Sequence, residues 1–121
     1  GHCVIQDDAV EIAAKMHNAD VLGFATPVYD YCVSGLLKTM LDRANPLYET
    51  DYAFTKAYLL AAAAEDAPET FAGTEKAVQG WVDCFPRCQL VETVFAGGVN
   101  EVGEIIGHPA LERAYQVGKE I

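Results

Sequence analysis

Positively charged residues are scarce in this sequence. Eight lysines and arginines stand against 18 aspartates and glutamates, which gives a formal net charge of −10. Because duplex binding depends on Lys and Arg contacting phosphates, we do not expect nucleic acid as a partner. An acidic surface suits either solubility or docking with a basic redox protein, and charge alone does not separate the two. Solubility is the simpler explanation.

Long hydrophobic runs are also absent. The longest, such as residues 57–64, fits a buried strand rather than a membrane span, so no membrane partner is expected. Gly1-His2-Cys3 shows neither the basic region nor the apolar core of a signal peptide. The four cysteines are irregularly spaced, unlike those of a small disulfide scaffold. We therefore expect a reduced, cytoplasmic protein.

The chain has enough apolar residues to form one globular domain. It contains 121 residues, of which 51% are hydrophobic and 21% charged. That balance argues against disorder, and the length suits a single domain over residues 1–121.

Apolar periodicity alternates along the chain between helix and strand types. Helices are predicted at residues 8–18, 33–44, 67–85 and from 109, and strands at 20–26, 56–64 and 88–96. The apolar side chains at helical spacing, among them Ile12, Leu36 and Leu111, are expected to face inward. The alanine-rich run 56–64 is ambiguous by propensity, and its position between two helices favours a strand. The order α-β-α-β-α-β-α predicts a parallel sheet with helices on both faces and right-handed crossovers.

Ligands of open α/β sheets bind outside the carboxyl ends of the strands. Three loops lie there in this prediction, at residues 26–34, 64–69 and 97–107. The first contains the motif T-P-x-Y, followed by a helix start at Ser34-Gly35 whose free amides favour electron-rich ligand atoms. Taken alone, the motif is weak, and a strand-ending turn with a packing tyrosine is the favoured interpretation.

A longer pattern surrounds that motif. It reads G-x-C-V-I-Q-D-D, then A-D-V-L-G-F-A-T-P-V-Y, then S-G-L-L-K-T-M-L-D-R. This resembles the flavodoxin-like family of NAD(P)H-dependent FMN reductases, most closely the branch that includes the iron–sulfur flavoproteins. The resemblance is dense over residues 1–43. It implies an α/β flavodoxin-like doubly wound parallel sheet, with three strands and four helices of the usual five-stranded domain.

The resemblance also implies a cofactor site. In that family the T-P-x-Y segment wraps the isoalloxazine ring of FMN. It therefore assigns flavin contact to Thr26, Pro27, Val28 and Tyr29, with Asp30 beside them. The implied activity is hydride transfer from NAD(P)H to FMN and on to a small-molecule or protein electron acceptor. A homo-oligomer is expected by resemblance alone, and no catalytic side chain is assigned.

The sequence departs from the family pattern at its start. The family's phosphate-binding loop follows the first strand, and this chain begins after it. We therefore expect either a fragment or a truncated relative that binds FMN weakly alone. The alternative function is a non-catalytic module that completes its sheet by oligomerisation or with a partner chain.

Other polar residues are weaker candidates. Cys3 matches the final cysteine of a cluster that binds an iron–sulfur centre in some family members, but no other cysteine lies near it, and a small buried residue is the simpler interpretation. The spacing Cys84-x3-Cys88 has no histidine close by, so no metal site is expected. Glu65-Asp66 is expected to be a solvated acidic turn.

Overall fold

A computed structural model describes residues 3–121 and confirms the predicted alternation of helices and strands. The elements are, in chain order, α1 (Asp8–Asn18), β1 (Val21–Pro27), α2 (Gly35–Arg43), a 3₁₀ turn (Asn45–Leu47), β2 (Lys56–Ala62), α3 (Pro68–Asp83), β3 (Gln89–Ala96) and α4 (Pro109–Lys119). No helix in this described range is long and apolar enough to cross a membrane.

The helix starts follow from local capping chemistry. The Asp7 carboxylate accepts a hydrogen bond from the Ala9 amide at the start of α1, and the Ser34 hydroxyl accepts one from Leu37 in α2. Pro68 and Pro109 occupy the first turns of α3 and α4, where the missing N–H costs nothing. The sequence therefore dictates where each helix begins more sharply than where it ends.

The three strands form one parallel sheet in the order β1-β2-β3. Val21 pairs with Lys56 at one end of the first ladder and Pro27 with Ala62 at the other. We expected β1 to stop at Thr26, but the strand includes Pro27. The amide of Val28 donates to Ala62 at 2.9 Å, so by strand alternation the Pro27 nitrogen points to the outer edge. A proline is tolerated there because no ladder bond is lost.

The main core lies on one face of the sheet, beneath α2 and α3. The indole N–H of Trp81 in α3 donates to the Leu41 carbonyl of α2 at 3.1 Å, which joins the two helices. Its ring also meets Phe24 of β1 edge-on, at 5.4 Å between centroids. Phe54, Leu59 and other side chains of this core are fully buried. This arrangement holds β1 and β2, and therefore the loops that follow them, in a fixed relation.

The opposite face of the sheet is covered by α4 above β3, which makes the fold doubly wound. Tyr58, Val94 and Val117 form a smaller core there. Beside α4 an apolar trough of about 430 Å³ remains over β1 and β2. We call it the sheet-face trough; its lining includes Ala25, Leu60, Ala62, Val94, Ala110 and Ala114.

The predicted buried faces of α1, α2 and α4 were partly wrong; in α4, for example, Leu111 is 48% exposed. Only Met16 of α1 is buried, and Ile12, which was expected to face inward, is 42% exposed. Leu36 in the first turn of α2 is 87% exposed. α1 and α2 pack against each other, and each leaves part of its apolar stripe exposed to solvent.

Candidate functional site at the carboxyl edge of the sheet

The first loop of the carboxyl edge is a tight turn directly after β1. Tyr29 and Cys32 exchange two backbone hydrogen bonds, of 3.0 and 2.9 Å. The two central residues, Asp30 and Tyr31, have φ angles of 49° and 63°. A two-residue loop with both centres at positive φ is normally built from Asn and Gly, since larger residues are strained there. The turn therefore stores backbone strain, a feature that concentrates at functional sites.

The side chain of Thr26 holds the two ends of this turn together. Its side chain is buried, at 5% exposure, and its hydroxyl donates to the Pro27 carbonyl at 2.7 Å. The same oxygen accepts a hydrogen bond from the Ser34 amide at 3.0 Å. The Thr26 hydroxyl thus closes the loop on itself, and it is occupied within the protein rather than presented to a ligand.

The second loop, after β2, stands beside this turn. The Ala63 amide donates to Ala96 at 3.0 Å, which carries the ladder one residue beyond the strand. The Thr70 hydroxyl, buried at the start of α3, donates to the Glu65 carboxylate at 3.0 Å. Glu65 was expected to be a solvated turn residue. It is exposed, and its carboxylate also accepts this hydrogen bond from Thr70.

The third loop, after β3, packs closely against the second. A Cβ on Gly97 would stand 2.8 Å from Asp66 Cα and 3.0 Å from the Glu65 carbonyl oxygen, so only glycine allows the approach. His108 joins the loop to α4: Nδ1 accepts the Ala110 amide at 3.0 Å, which leaves Nε2 to donate to the Gly97 carbonyl at 2.9 Å. Sequence reasoning missed His108, because a histidine cap has no distinctive pattern.

Glu104 orders the outer part of the third loop. Its carboxylate accepts the amides of Glu101 at 2.8 Å and Asn100 at 2.7 Å. These two hydrogen bonds lower the pKa of Glu104, because they favour the ionised form.

A cleft of about 260 Å³ separates the first loop from the second. Its lining combines apolar and polar groups from Val28, Asp30, Tyr31, Ala63, Ala64, Glu65 and Thr70. Within residues 3–121, the backbone amides of Asp30, Tyr31, Ala64 and Glu65 donate to no protein acceptor. A mixed cleft with free backbone donors fits a planar ring whose edge carries nitrogen and oxygen acceptors.

The predicted flavin-contact residues fall into two groups. Val28 and Asp30 line the cleft, and Tyr29 stands beside them with 62% of its surface exposed. Thr26 and Pro27 instead border the end of the sheet-face trough, with Thr26 buried beneath the turn. The structure thus brings all five residues to one edge, and adds Ala63, Ala64, Glu65 and Thr70 from the neighbouring loop.

Comparison with known proteins identifies the family. The family model described as NADPH-dependent FMN reductase matches residues 1–95. The chain belongs to this family. Its fold is flavodoxin-like, as expected.

Two curated members of the iron–sulfur flavoprotein group match part of the chain. The protein from Methanocaldococcus jannaschii is 47% identical over 47 residues, which cover 39% of this chain and 24% of the relative. The protein from Archaeoglobus fulgidus is 38% identical over 52 residues, or 43% of this chain and 27% of the relative. The matched segments thus span about a quarter of each relative.

A solved structure shares the fold. The Trp repressor binding protein from Bacillus subtilis superposes with a TM-score of 0.74 over 90% of this chain and 74% of its own, at 23% identity. At that identity the likeness concerns the fold alone.

Proposed function

We propose that this chain forms the ring-binding edge of a flavin-dependent oxidoreductase, which transfers hydride from NAD(P)H to FMN and electrons onward to a small-molecule or protein acceptor. The observation that carries the proposal is the strained Tyr29–Cys32 turn, which stands across a cleft from a second loop with free backbone amides. Membership of the FMN reductase family supports the same cofactor.

The residues of the cleft would hold FMN in three ways. The free amides of Asp30 and Tyr31 on one side, and of Ala64 and Glu65 on the other, would donate to the polar edge of the ring. The exposed ring of Tyr29 offers an aromatic surface beside them. These contacts orient the flavin and tune its electronics through hydrogen bonds.

The protein itself would bind and orient the cofactor rather than react with the substrate. Hydride acceptance and electron transfer are supplied by FMN when it is bound, so no side chain needs to act as a general acid. Glu65 and Asp66 place negative charge beside the cleft and would oppose negative charge on the reduced ring. We further propose that the protein acts in the cytoplasm and as a homo-oligomer.

The test is a titration of the purified chain with FMN, followed by anaerobic addition of NADH or NADPH. We expect bound flavin whose visible absorbance falls as the nucleotide is added. The matched variants are Tyr29→Ala and Tyr48→Ala, since both tyrosines are exposed but Tyr48 follows the far end of α2. Only Tyr29→Ala should weaken FMN binding. A chain that binds no flavin, or equal binding by both variants, would contradict the proposal.

A second candidate function, completion of the sheet by another chain, is favoured by the outer edge of β1. Within the described residues, β1 pairs only with β2, and the exposed Gly23 and Ala25 lie on the face that borders the sheet-face trough. An unpaired strand edge beside an apolar surface is a site for chain association. Light scattering tests it: Ala25→Lys should lower the assembly mass, and Ala72→Lys on the exposed side of α3 should not. A chain that is monomeric at all concentrations excludes completion of the sheet by a second copy of the same chain.

A further inference from the structure

We infer that Gly73 of α3 is a positioning residue for the flavin-contacting turn, an inference that rests on the proposed function. A Cβ built on Gly73 would overlap the carbonyl oxygen of Tyr31 and stand 3.3 Å from its carbonyl carbon. The backbone of the turn therefore rests where a side chain at position 73 would begin. Gly73 acts through Tyr31 and does not line the cleft itself.

The turn needs such support because its conformation is costly. Asp30 and Tyr31 both adopt the left-handed region, at φ 49° and 63°, without being glycine. Such residues keep this conformation only where their surroundings over-determine it. Two hydrogen bonds support the turn from the sheet: the Val28 amide donates to Ala62, and the Ser34 amide donates to Thr26. The contact with Gly73 is the support from the helix side.

The position of Gly73 connects this contact to the cleft. Thr70, three residues earlier and therefore on the same helix face, lines the cleft and holds Glu65. One face of α3 thus sets the positions of both walls: Thr70 that of the second loop, and Gly73 that of the first. The width of the cleft is fixed by this helix face.

The two glycines of α3 differ in what surrounds them, which shows whether glycine is required at each position or only tolerated. Glycine is a poor residue for a helix interior, and α3 contains it at positions 73 and 80. At Gly80 an added Cβ would meet nothing within 4 Å. The contact with Tyr31 thus explains the glycine at 73, and Gly80 provides a control of the same chemical change two turns along the same helix.

The experiment compares Gly73→Ala with Gly80→Ala in the full chain, by FMN titration, by urea unfolding and by amide NMR spectra without flavin. We expect Gly80→Ala to raise the unfolding midpoint and leave FMN affinity unchanged. Gly73→Ala should shift the amide signals of residues 29–34 and weaken FMN binding by about tenfold, since small displacements of a binding group are costly. Unchanged amide signals and unchanged FMN affinity in Gly73→Ala would overturn the inference.

If the wild-type chain binds no FMN, the proposed function fails, and the amide signals still decide whether Gly73 sets the turn. If Gly73→Ala does not fold, the double variant with Tyr31→Gly decides, because glycine at position 31 lets the turn move away from the new methyl group. That double variant should fold and bind FMN more weakly than Tyr31→Gly alone. A double variant that stays unfolded, or that binds as tightly, contradicts the inference.

Discussion

The amide of Ser34 donates a hydrogen bond of 3.0 Å to the hydroxyl oxygen of Thr26, eight residues earlier in the chain. This bond joins the end of β1 to the N-cap residue of α2, so the two ends of the loop between them are held together. The Ser34 side chain caps α2 at the same time. Thr26 therefore links the end of β1, the Tyr29–Cys32 turn and the start of α2.

Replacing Thr26 with valine should destabilise the chain and loosen the turn. The hydroxyl is lost at nearly constant volume, so the half-buried Ser34 amide and the exposed Pro27 carbonyl each lose a partner. A typical hydrogen bond contributes about 1 kcal/mol, and because water can reach both groups we expect a loss of about that size in urea unfolding. FMN affinity should fall as well.

Thr74→Val is the matched control for that variant. Thr74 of α3 is fully buried, and its hydroxyl has no hydrogen-bond partner within residues 3–121. Removing an unpartnered buried hydroxyl should raise stability by about 1 kcal/mol. A loss of stability in Thr74→Val equal to that in Thr26→Val would show that the Thr26 hydrogen bonds contribute nothing specific.

The loops at the carboxyl edge of the sheet are acidic, and we expect this to affect which flavin the chain binds. The three edge loops, residues 27–34, 63–67 and 97–108, contain no lysine or arginine; their acidic residues are Asp30, Glu65, Asp66, Glu101 and Glu104. A phosphate monoester carries a charge of about −1.5 to −2 at neutral pH, so these loops should repel it while holding the ring. Riboflavin should therefore bind this chain at least as tightly as FMN at low salt.

Salt provides the control for that prediction. Raising the ionic strength to about 0.1 M screens charges beyond about 10 Å, so FMN binding should strengthen while riboflavin binding stays constant. Tighter binding of FMN that weakens with salt would instead reveal a cationic phosphate site.

Gly97→Ala should disrupt the contact between the second and third loops. The new methyl group would stand 2.8 Å from Asp66 Cα, so the backbone must move. Overpacking of this kind typically costs about 1–3 kcal/mol in unfolding free energy. Gly23→Ala, where nothing lies within 4 Å, is the control and should not destabilise the chain. Similar losses in both variants would mean that the cause is not the loop contact.

Acid should weaken the link between α1 and α2. Arg43 holds the Asp7 carboxylate with two hydrogen bonds, of 2.6 and 2.7 Å, and thereby lowers the pKa of Asp7. Because the pKa in the folded state lies below the unfolded value of about 3.9, this contribution is complete above about pH 4 and is lost as the pH falls. Asp7→Asn should flatten the acid limb of a stability–pH curve.

Arg43→Met tests the cause of that effect. Removing the guanidinium should flatten the same limb, since the pKa of Asp7 is then no longer lowered by it. The lowered pKa values of Asp51 and Glu104 leave a remaining slope of the same sign in both variants. A limb as steep as that of the wild-type chain would contradict the assignment to this ion pair.

Local sequence chemistry predicted the element order and the edge where the site lies. Apolar periodicity and the caps at Asp7 and Ser34 are properties of neighbouring residues, so they are visible without the fold. The position of Tyr29 at the carboxyl end of β1 follows from that order. Because the T-P-x-Y motif is continuous in the sequence, the family resemblance could be assigned to Thr26, Pro27 and Tyr29 without the fold.

The features that were missed depend on contacts between distant segments. Val91 is an extra residue in β3, opposite the step from Ala57 to Tyr58, and such a bulge has no local signal here. The contact at Gly73 requires α3 to be placed against the Tyr29–Cys32 turn, and the contact at Gly97 requires two loops to be placed against each other. The exposure of Leu36 depends on what packs over α2, which periodicity does not report.

The parallel order β1-β2-β3 has a consequence for how the chain acquires its structure. Each strand pairs with the next one in the chain, so every ladder joins segments separated by a single crossover helix. Pairing between neighbours in the chain keeps the segment closed by each ladder short, so less conformational entropy is lost than in a sheet whose strands pair out of order. The contact between the Tyr29–Cys32 turn and Gly73 closes a longer segment, because it joins the loop after β1 to the helix after β2.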